Sequence, residues 1–187
     1  MPNQSQAVFL NVDVAALREQ LTARGATQNL ARKLLKRLVY DGAGPADAAR
    51  IQLRDEGHDV TLTLWWNYKD PRSVERKVHI ETGVSDLRAM AEFLMTIGLH
   101  QWLNESHYRE EWQLDDVLYG FETWPDLPDM LVLDGPDAET VRAAVQELGL
   151  DPAQGRSQSV AEIYRTELGR DINARYTSTR FTDPERA

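Results

Sequence analysis

Cysteine is absent from this chain of 187 residues. Disulfides, thiolate nucleophiles and cysteine zinc sites are therefore excluded, and the reducing cytoplasm is the expected compartment. Long apolar runs are also missing, since no stretch approaches the roughly 18 residues that a membrane helix needs. The first residues lack the basic and apolar regions of a secretory signal. The sequence thus predicts a soluble cytoplasmic protein with no membrane partner.

Positive charge is scarce, because 21 Lys and Arg stand against 30 Asp and Glu, a formal net charge of −9. Proteins that bind nucleic acids use clustered cations to release counterions from phosphates, so no nucleic-acid partner is expected. A small anion in a local basic pocket is allowed, and a homodimer is compatible with the sequence. The apolar share of 42% permits a packed core. We expect a single domain at 1–170 and a frayed polar tail at 171–187.

Strands dominate the predicted secondary structure. Residues 30–40 fit either a helix or a strand. Each helix is predicted from a capping residue, apolar positions at helical spacing and a glycine at its end. The helix caps are Asp13, Ser85, Asp137 and Ser159. Apolar or alternating runs between turn residues indicate strands at 7–12, 49–54, 60–66, 76–81, 101–113, 117–123 and 130–134.

The predicted strands follow one another through short turns, which favours an α+β fold with an antiparallel sheet and outer helices. Charged residues alternate along several strands, as at Lys77, His79 and Glu81. In a flat sheet such positions form a solvated face, whereas in a closed sheet they line a polar interior. The charge pairs Glu110-Glu111 and Asp115-Asp116 are interpreted as solvated surface.

Several local strings occur in a specific order along nearly the whole chain. They include Phe-Leu-Asn-Val-Asp (9–13), Gln-Leu-Arg-Asp-Glu-Gly (52–57), Thr-Leu-Thr-Leu (61–64), Tyr-Arg-Glu-Glu-Trp (108–112), Thr-Trp-Pro-Asp-Leu-Pro (123–128) and Ser-Val-Ala-Glu-Ile-Tyr (159–164). In this order the chain resembles the CYTH family, the triphosphate tunnel fold of class IV adenylyl cyclases, thiamine triphosphatases and inorganic triphosphatases. The resemblance implies an antiparallel β-barrel or tunnel with outer helices. It also implies inward carboxylates that hold divalent metal, and Lys and Arg that bind triphosphate.

At the positions that carry this chemistry, the chain departs from the family's pattern. Family carboxylates and cations are replaced at Gln4, Gln6, Val8, Gln52, Trp65, His79 and Val132. The pattern is kept or nearly kept at Arg54, Glu81, Arg109, Glu122 and Asp134. The resemblance therefore implies a tunnel whose metal and triphosphate site is eroded.

The loss of carboxylates bears on the cofactor. Mg²⁺ is reluctant to lose its water shell, and fewer anionic ligands offset that cost less well. We expect no cofactor. The alternative is Mg²⁺ held weakly by Glu81, Glu122 and Asp134.

The remaining polar residues favour an organic ligand. Trp65 offers an aromatic face where the family has an ammonium group. His79 and Glu81 stand two apart on one strand and point the same way, an arrangement that suits proton transfer. A hydrogen-bonded interior histidine without chemistry is the alternative. Arg54 and Arg109 either clamp an anionic group or neutralise the nearby carboxylates.

The sequence predicts that the protein binds a small organic molecule and transforms it by metal-independent acid/base chemistry, in a specialised biosynthetic step. His79 and Glu81 are the catalytic candidates. The substrate-binding candidates are Arg54, Trp65, Lys77, His107, Arg109, Glu122 and Asp134. Two alternatives stay open. One is a Mg²⁺- or Mn²⁺-dependent triphosphate hydrolase or class IV adenylyl cyclase-like enzyme, and the other is a non-catalytic protein that binds a nucleotide or a partner.

Overall fold

The computed structural model describes residues 5–41, 49–68, 76–174 and 177–181, without the side chains of residues 67, 68, 76 and 77. The strands are β1 (Ser5–Leu10), β2 (Thr27–Asp41), β3 (Ala49–Asp55), β4 (Val60–Tyr68), β5 (Arg76–Val84), β6 (Gln101–Leu114), β7 (Val117–Thr123), β8 (Met130–Gly135) and β9 (Thr177–Thr179). The helices are α1 (Val14–Ala23), α2 (Leu87–Thr96), α3 (Ala138–Glu147) and α4 (Val160–Leu168), with a 3₁₀ turn at Pro152–Gln154.

The described strands belong to one sheet, and the predicted α+β class with an antiparallel sheet and helices is confirmed. The chain divides into two compact units, which are described in turn. Of the described residues, the first unit contains 5–34 and 107–171, and the second contains 35–41, 49–68, 76–106, 172–174 and 177–181. None of the helices in the described residues is long and apolar enough to cross a membrane.

In the first unit, β1, β8, β7 and β6 are neighbours in that order and pair antiparallel. Because side chains alternate along a strand, one face of these strands is apolar and packs against α1 and α3. The buried cluster includes Phe9, Leu17, Leu21, Trp112, Tyr119, Phe121, Leu131, Leu133, Val141 and Val145. Burial of this apolar face leaves the opposite face of the strands to polar side chains.

Glu110 belongs to the apolar face and is only 3% exposed. The interpretation of Glu110 and Glu111 as solvated surface is therefore wrong, because the alternation of β6 turns Glu110 toward α1 and Glu111 toward the opposite face, where its side chain is only 14% exposed. Asp115 and Asp116, at the turn between β6 and β7, are exposed as predicted.

In the second unit, β2, β3, β4 and β5 pair antiparallel in sequence order. Their apolar face packs under α2, and the buried cluster between strands and helix includes Leu38, Tyr40, Leu53, Ala91 and Leu94. Residues 30–40, for which helix and strand were both open, are part of strand β2. Pairing of Arg37–Asp41 with β3 and the burial of Leu38 and Tyr40 on one face fix the strand form.

Three of the four predicted helix N-caps are confirmed by the structure, and one is wrong. Asp13, Asp137 and Ser159 are N-caps as predicted. The prediction of Ser85 is wrong, because the cap of α2 is Asp86. The backbone of Asp86 is extended, and its carboxylate accepts the N–H of Ala89 at 2.8 Å.

The tail also differs from the expected frayed segment. Strand β9 pairs in parallel with Leu103–Glu105 of β6, and the Phe181 N–H donates to the Ser106 hydroxyl at 3.0 Å. Ile172 and Thr179 are buried, at 3% and 2% exposure. The described part of the tail is therefore held by backbone pairing and by its few buried side chains.

Candidate functional site

Two polar faces lie opposite the helix-covered faces, one in each unit. Directly paired residues of antiparallel strands point to the same side, so the strand registers define each face. The first polar face, in the first unit, consists of Gln6, Val8, Arg109, Glu111, Gly120, Glu122, Val132 and Asp134. The second polar face, in the second unit, consists of Arg37, Arg50, Gln52, Arg54, Thr63, Trp65, His79 and Glu81.

Arg109 is the centre of the first polar face. Its guanidinium donates to Glu111 at 2.6 Å and to Glu122, its cross-strand partner on β7. Burial of the Arg109 guanidinium disfavours its charge and lowers its pKa. The negative charges of Glu122 and Glu111 have the larger combined effect, so the pKa of Arg109 is raised. Of the two roles considered for Arg109, the structure therefore shows neutralisation of carboxylates.

Gly120 makes room for this arrangement. It pairs with Glu111 across the strands, and a Cβ at Gly120 would lie 3.4 Å from Cζ of Arg109. With no side chain at Gly120, the guanidinium lies directly over the backbone of β7.

A second layer supports Glu122. The Trp124 indole N–H donates to Glu122 Oε2 at 2.7 Å, and Trp124 is stacked on His107 with 4.2 Å between ring centroids. Both oxygens of Glu122 thus have donors, one from Arg109 and one from Trp124. The candidate His107 acts here as a stacking partner of Trp124.

The remaining described positions of the first polar face carry one carboxylate, Asp134, beside neutral side chains. The Gln6 amide donates to Asp134 Oδ1 at 2.9 Å, across the β1–β8 pair. Val8 and Val132 are direct partners on the same two strands, and both are buried. Where the resemblance implies charged groups, these strands carry an apolar pair. Gln4 lies outside the described residues.

On the second polar face, the catalytic candidates His79 and Glu81 are both exposed and lie on the same side of β5. Each has a partner on β4. The His79 ring stacks on Trp65 with 5.5 Å between centroids, and Glu81 Oε2 accepts the Thr63 hydroxyl at 3.1 Å. The side chain of Lys77, on the same strand, lies outside the described residues.

Arg54 is engaged by two neighbours. Its Nη1 is 2.7 Å from Glu56 Oε1. With the Gln52 amide assigned from its hydrogen-bond network, the Gln52 oxygen accepts from Nε and Nη2 of Arg54, both at 2.7 Å. Gln52 is therefore an orienting group for Arg54.

Sequence reasoning missed a buried carboxylate beside this face. Glu105 of β6 is 2% exposed, and its Oε2 accepts Nε of Arg37 at 2.6 Å. Burial raises the pKa of Glu105, against the opposing effect of Arg37. Arg37 lies in the segment that fitted two kinds of secondary structure, so no pattern in the sequence placed it beside Glu105.

The carboxylates do not fit the Mg²⁺ site that the resemblance implies. Mg²⁺ needs several free oxygen ligands in octahedral arrangement. Glu122 is bonded by Arg109 and Trp124, Asp134 by Gln6, and Glu81 by Thr63. Within the described residues, no group of three or more His, Asp or Glu is placed to hold a metal ion.

No protein-family model and no curated protein matches the sequence. Solved structures do. A Vibrio parahaemolyticus protein proposed to be an adenylate cyclase aligns with a TM-score of 0.58 and 12% identity, over 86% of this chain and 96% of its own. The PH1012 protein of Pyrococcus horikoshii aligns with a TM-score of 0.55 and 13% identity, over 84% and 96%.

A third solved structure carries an activity in its description. It is a Hippeastrum protein proposed to be an adenylyl cyclase and described as having a dominant triphosphatase activity, with a TM-score of 0.50 and 12% identity over 88% of this chain and 96% of its own. This chain has the fold of these solved structures, as the resemblance to the CYTH family implies. At such low identity the likeness extends to the fold alone, and the chemistry of this chain must be argued from its own residues.

Proposed function

We propose that this protein binds a small organic anion with a planar ring on the second polar face and transforms it by proton transfer through His79. The observation that carries the proposal is the alignment of Arg50, Trp65 and His79 in one row of directly paired residues, which begins on β2 at Asp41. The row sets a guanidinium beside two stacked rings. Such a surface is complementary to an aromatic or heteroaromatic ring with a carboxylate or phosphate substituent.

The next row supplies a group that can assist proton transfer. Thr63 and Glu81 are direct partners, and the Thr63 hydroxyl holds one oxygen of the carboxylate. Glu81 lies two residues from His79 on the same side of β5, within reach of a ligand seated on the Trp65–His79 pair. In this proposal His79 exchanges the proton and Glu81 stabilises the charged imidazole.

The first polar face supports a departure from triphosphate chemistry. A triphosphate needs several free cations, whereas the guanidinium of Arg109 is already shared by Glu111 and Glu122. Val8 and Val132 add an apolar pair beside it. These residues favour a ligand that is less charged than a triphosphate.

A binding experiment tests the ligand class. Benzoate and phenyl phosphate are titrated calorimetrically into the wild type and into Arg50→Gln, Trp65→Leu and His100→Ala. We expect the first two substitutions to weaken binding at least tenfold. His100→Ala removes an exposed histidine of the same unit outside the second polar face and should leave binding unchanged. No binding of either compound at millimolar concentration would refute the proposal.

Catalysis is tested with the compound itself. Small molecules that copurify with the protein are identified by mass spectrometry and offered back to the wild type and His79→Ala. We expect His79→Ala to bind the compound and to convert it at least a hundredfold more slowly. If the wild type binds the compound and never converts it, the protein is a binding protein without catalysis.

A second candidate is a metal-dependent triphosphatase or adenylyl cyclase, which the fold likeness to the Hippeastrum and Vibrio proteins favours. It is tested with tripolyphosphate and ATP in the presence of Mg²⁺ or Mn²⁺. Turnover that a chelator abolishes, and that Glu122→Gln and Asp134→Asn also remove, would replace the first proposal with this one. We expect no such turnover.

A further inference from the structure

We infer that Glu105, Arg37 and Arg50 form a subsite that binds an N–H donor and an anionic group of one ligand. This inference rests on the proposed function, because Arg37 and Arg50 belong to the second polar face. It narrows the ligand from an anionic ring to an anionic ring with an amino or ring N–H group. All three residues belong to the second unit.

The first observation is an oxygen without a partner. Glu105 Oε2 accepts from Arg37, while Oε1 is fully buried and has no hydrogen-bond partner among the described residues. A buried carboxylate oxygen that has lost water and gained no donor costs free energy. Such an atom in a native protein needs an explanation, and a donor on a bound ligand supplies one.

The chemistry of Oε1 follows from Arg37. Its Nε and Nη2 both lie 2.6 Å from Oε2, an ion pair that favours the charged carboxylate. An ionised carboxylate only accepts hydrogen bonds. The missing partner is therefore a donor, such as an amine, an ammonium or a ring N–H.

The second observation is a cation beside an aromatic ring. The Arg50 guanidinium lies 5.3 Å from the ring centroid of Trp102. Partial burial and the charge of Arg37 both lower the pKa of Arg50, and Glu105 opposes them. Since Glu105 is engaged by Arg37, a ligand anion near Arg50 would stabilise the charge of this guanidinium.

Together, the acceptor and the cation recognise two groups on one molecule. Arg50 pairs directly with Trp65, so the anionic group lies next to the proposed ring site. An aminobenzoate has the required combination of ring, carboxylate and N–H donor. Benzoate has the ring and the carboxylate only.

The test compares these two compounds. The three aminobenzoate isomers and benzoate are titrated calorimetrically into the wild type, and we expect the best isomer to bind at least tenfold more tightly than benzoate. In Glu105→Gln the amide oxygen must face Arg37, so an NH₂ group takes the place of Oε1. The advantage of the amine should disappear in this variant.

Two control variants distinguish loss of the Glu105 acceptor from the loss of one negative charge and from a loss of anion binding. Glu92→Gln makes the same charge change at an exposed position of α2 and should keep the advantage of the amine. Arg50→Gln should weaken benzoate and the aminobenzoate alike. If Glu105→Gln does not fold, judged by circular dichroism, the wild type is titrated with the N,N-dimethyl form of the best isomer. Loss of the N–H should reduce its affinity to that of benzoate or lower.

The outcomes distinguish this inference from the proposed function. If benzoate and the aminobenzoates bind equally, or if Glu105→Gln still binds the best aminobenzoate more tightly than benzoate, the inference is wrong. The proposed anion site is unaffected by that result. The oxygen Oε1 is then satisfied by a water. If none of the compounds binds, the proposed function is wrong, and the inferred subsite is wrong as well because it depends on that function.

Discussion

The carboxylate of Glu110 accepts two hydrogen bonds from the guanidinium of Arg18, each 2.9 Å long. Trp112 and Gln28 donate to the same carboxylate at 2.6 and 3.2 Å. Arg18 belongs to α1 and Glu110 to β6, so this pair ties the helix to the sheet. A charge in an otherwise apolar layer is stable here because it has four donors.

Removal of this carboxylate should weaken the fold. We expect Glu110→Ala to lower the free energy of unfolding by about 2–3 kcal/mol, because donors, including a buried indole N–H, lose their acceptor. The measurement is urea denaturation at neutral pH. Glu19→Ala, at an exposed position of the same helix, should change the free energy by less than about 0.5 kcal/mol. Equal effects of the two substitutions would contradict the role of Glu110.

The same carboxylate should make stability depend on acid. Burial raises its pKa, but hydrogen bonds from Arg18, Trp112 and Gln28 outweigh this and lower the pKa of Glu110 overall. Its contribution is present above the ordinary carboxyl pKa and is lost as the pH falls through the lowered value. The difference in unfolding free energy between the wild type and Glu110→Gln should therefore shrink from pH 7 to pH 3. A constant difference would show that the pKa is not lowered.

Glu105 should show the opposite slope. Burial raises the pKa of Glu105 against the opposing effect of Arg37, so keeping this carboxylate ionised beside Arg37 at neutral pH costs the folded state free energy. Its contribution is present below the ordinary carboxyl pKa and is lost as the pH rises through the raised value. Relative to Glu105→Gln, the wild type should become less stable between pH 4 and pH 7. Parallel slopes for the Glu105 and Glu110 variants would contradict this assignment.

Packing between α3 and β8 leaves no space at Gly135. A Cβ there would lie 2.8 Å from Cγ2 of Val141. We expect Gly135→Ala to destabilise the protein by about 1–3 kcal/mol through overpacking. Gly83→Ala is the matched control, since a Cβ at Gly83 meets no atom within 4 Å.

A double-mutant cycle identifies the cause. If the clash is with Val141, the substitution Gly135→Ala should cost less in a Val141→Ala background, with a coupling of about 1 kcal/mol or more. The measurement is again urea denaturation. Additive effects would place the strain elsewhere.

Features that depend on neighbours in sequence could be predicted, and those that depend on strand partners could not. Asp13, Asp137 and Ser159 cap helices through atoms a few residues away, so their role is visible in the sequence. Ser85 and Asp86 are adjacent caps of similar strength, and the backbone decides between them. Strand β2 was ambiguous because its form depends on pairing with β3.

In the candidate site, too, the features set by neighbours in sequence could be predicted and those set by strand partners could not. Alternation placed Arg109, Glu122 and Asp134 on one side of their strands, and Trp65, His79 and Glu81 on one side of theirs. The partners of these groups could not be predicted, because each contact requires the register of two strands. The Arg37–Glu105 pair joins residues far apart in the chain, and neither stands in a motif.

The parallel pairing of β9 with Leu103–Glu105 has a consequence for synthesis of the protein. A growing chain displays this edge of β6 long before the ribosome has made residues 177–179. During that interval the edge offers free backbone groups to any other strand, which makes the growing chain prone to self-association. A translation product that stops just before β9 should therefore depend on chaperones far more than a product that includes β9 does.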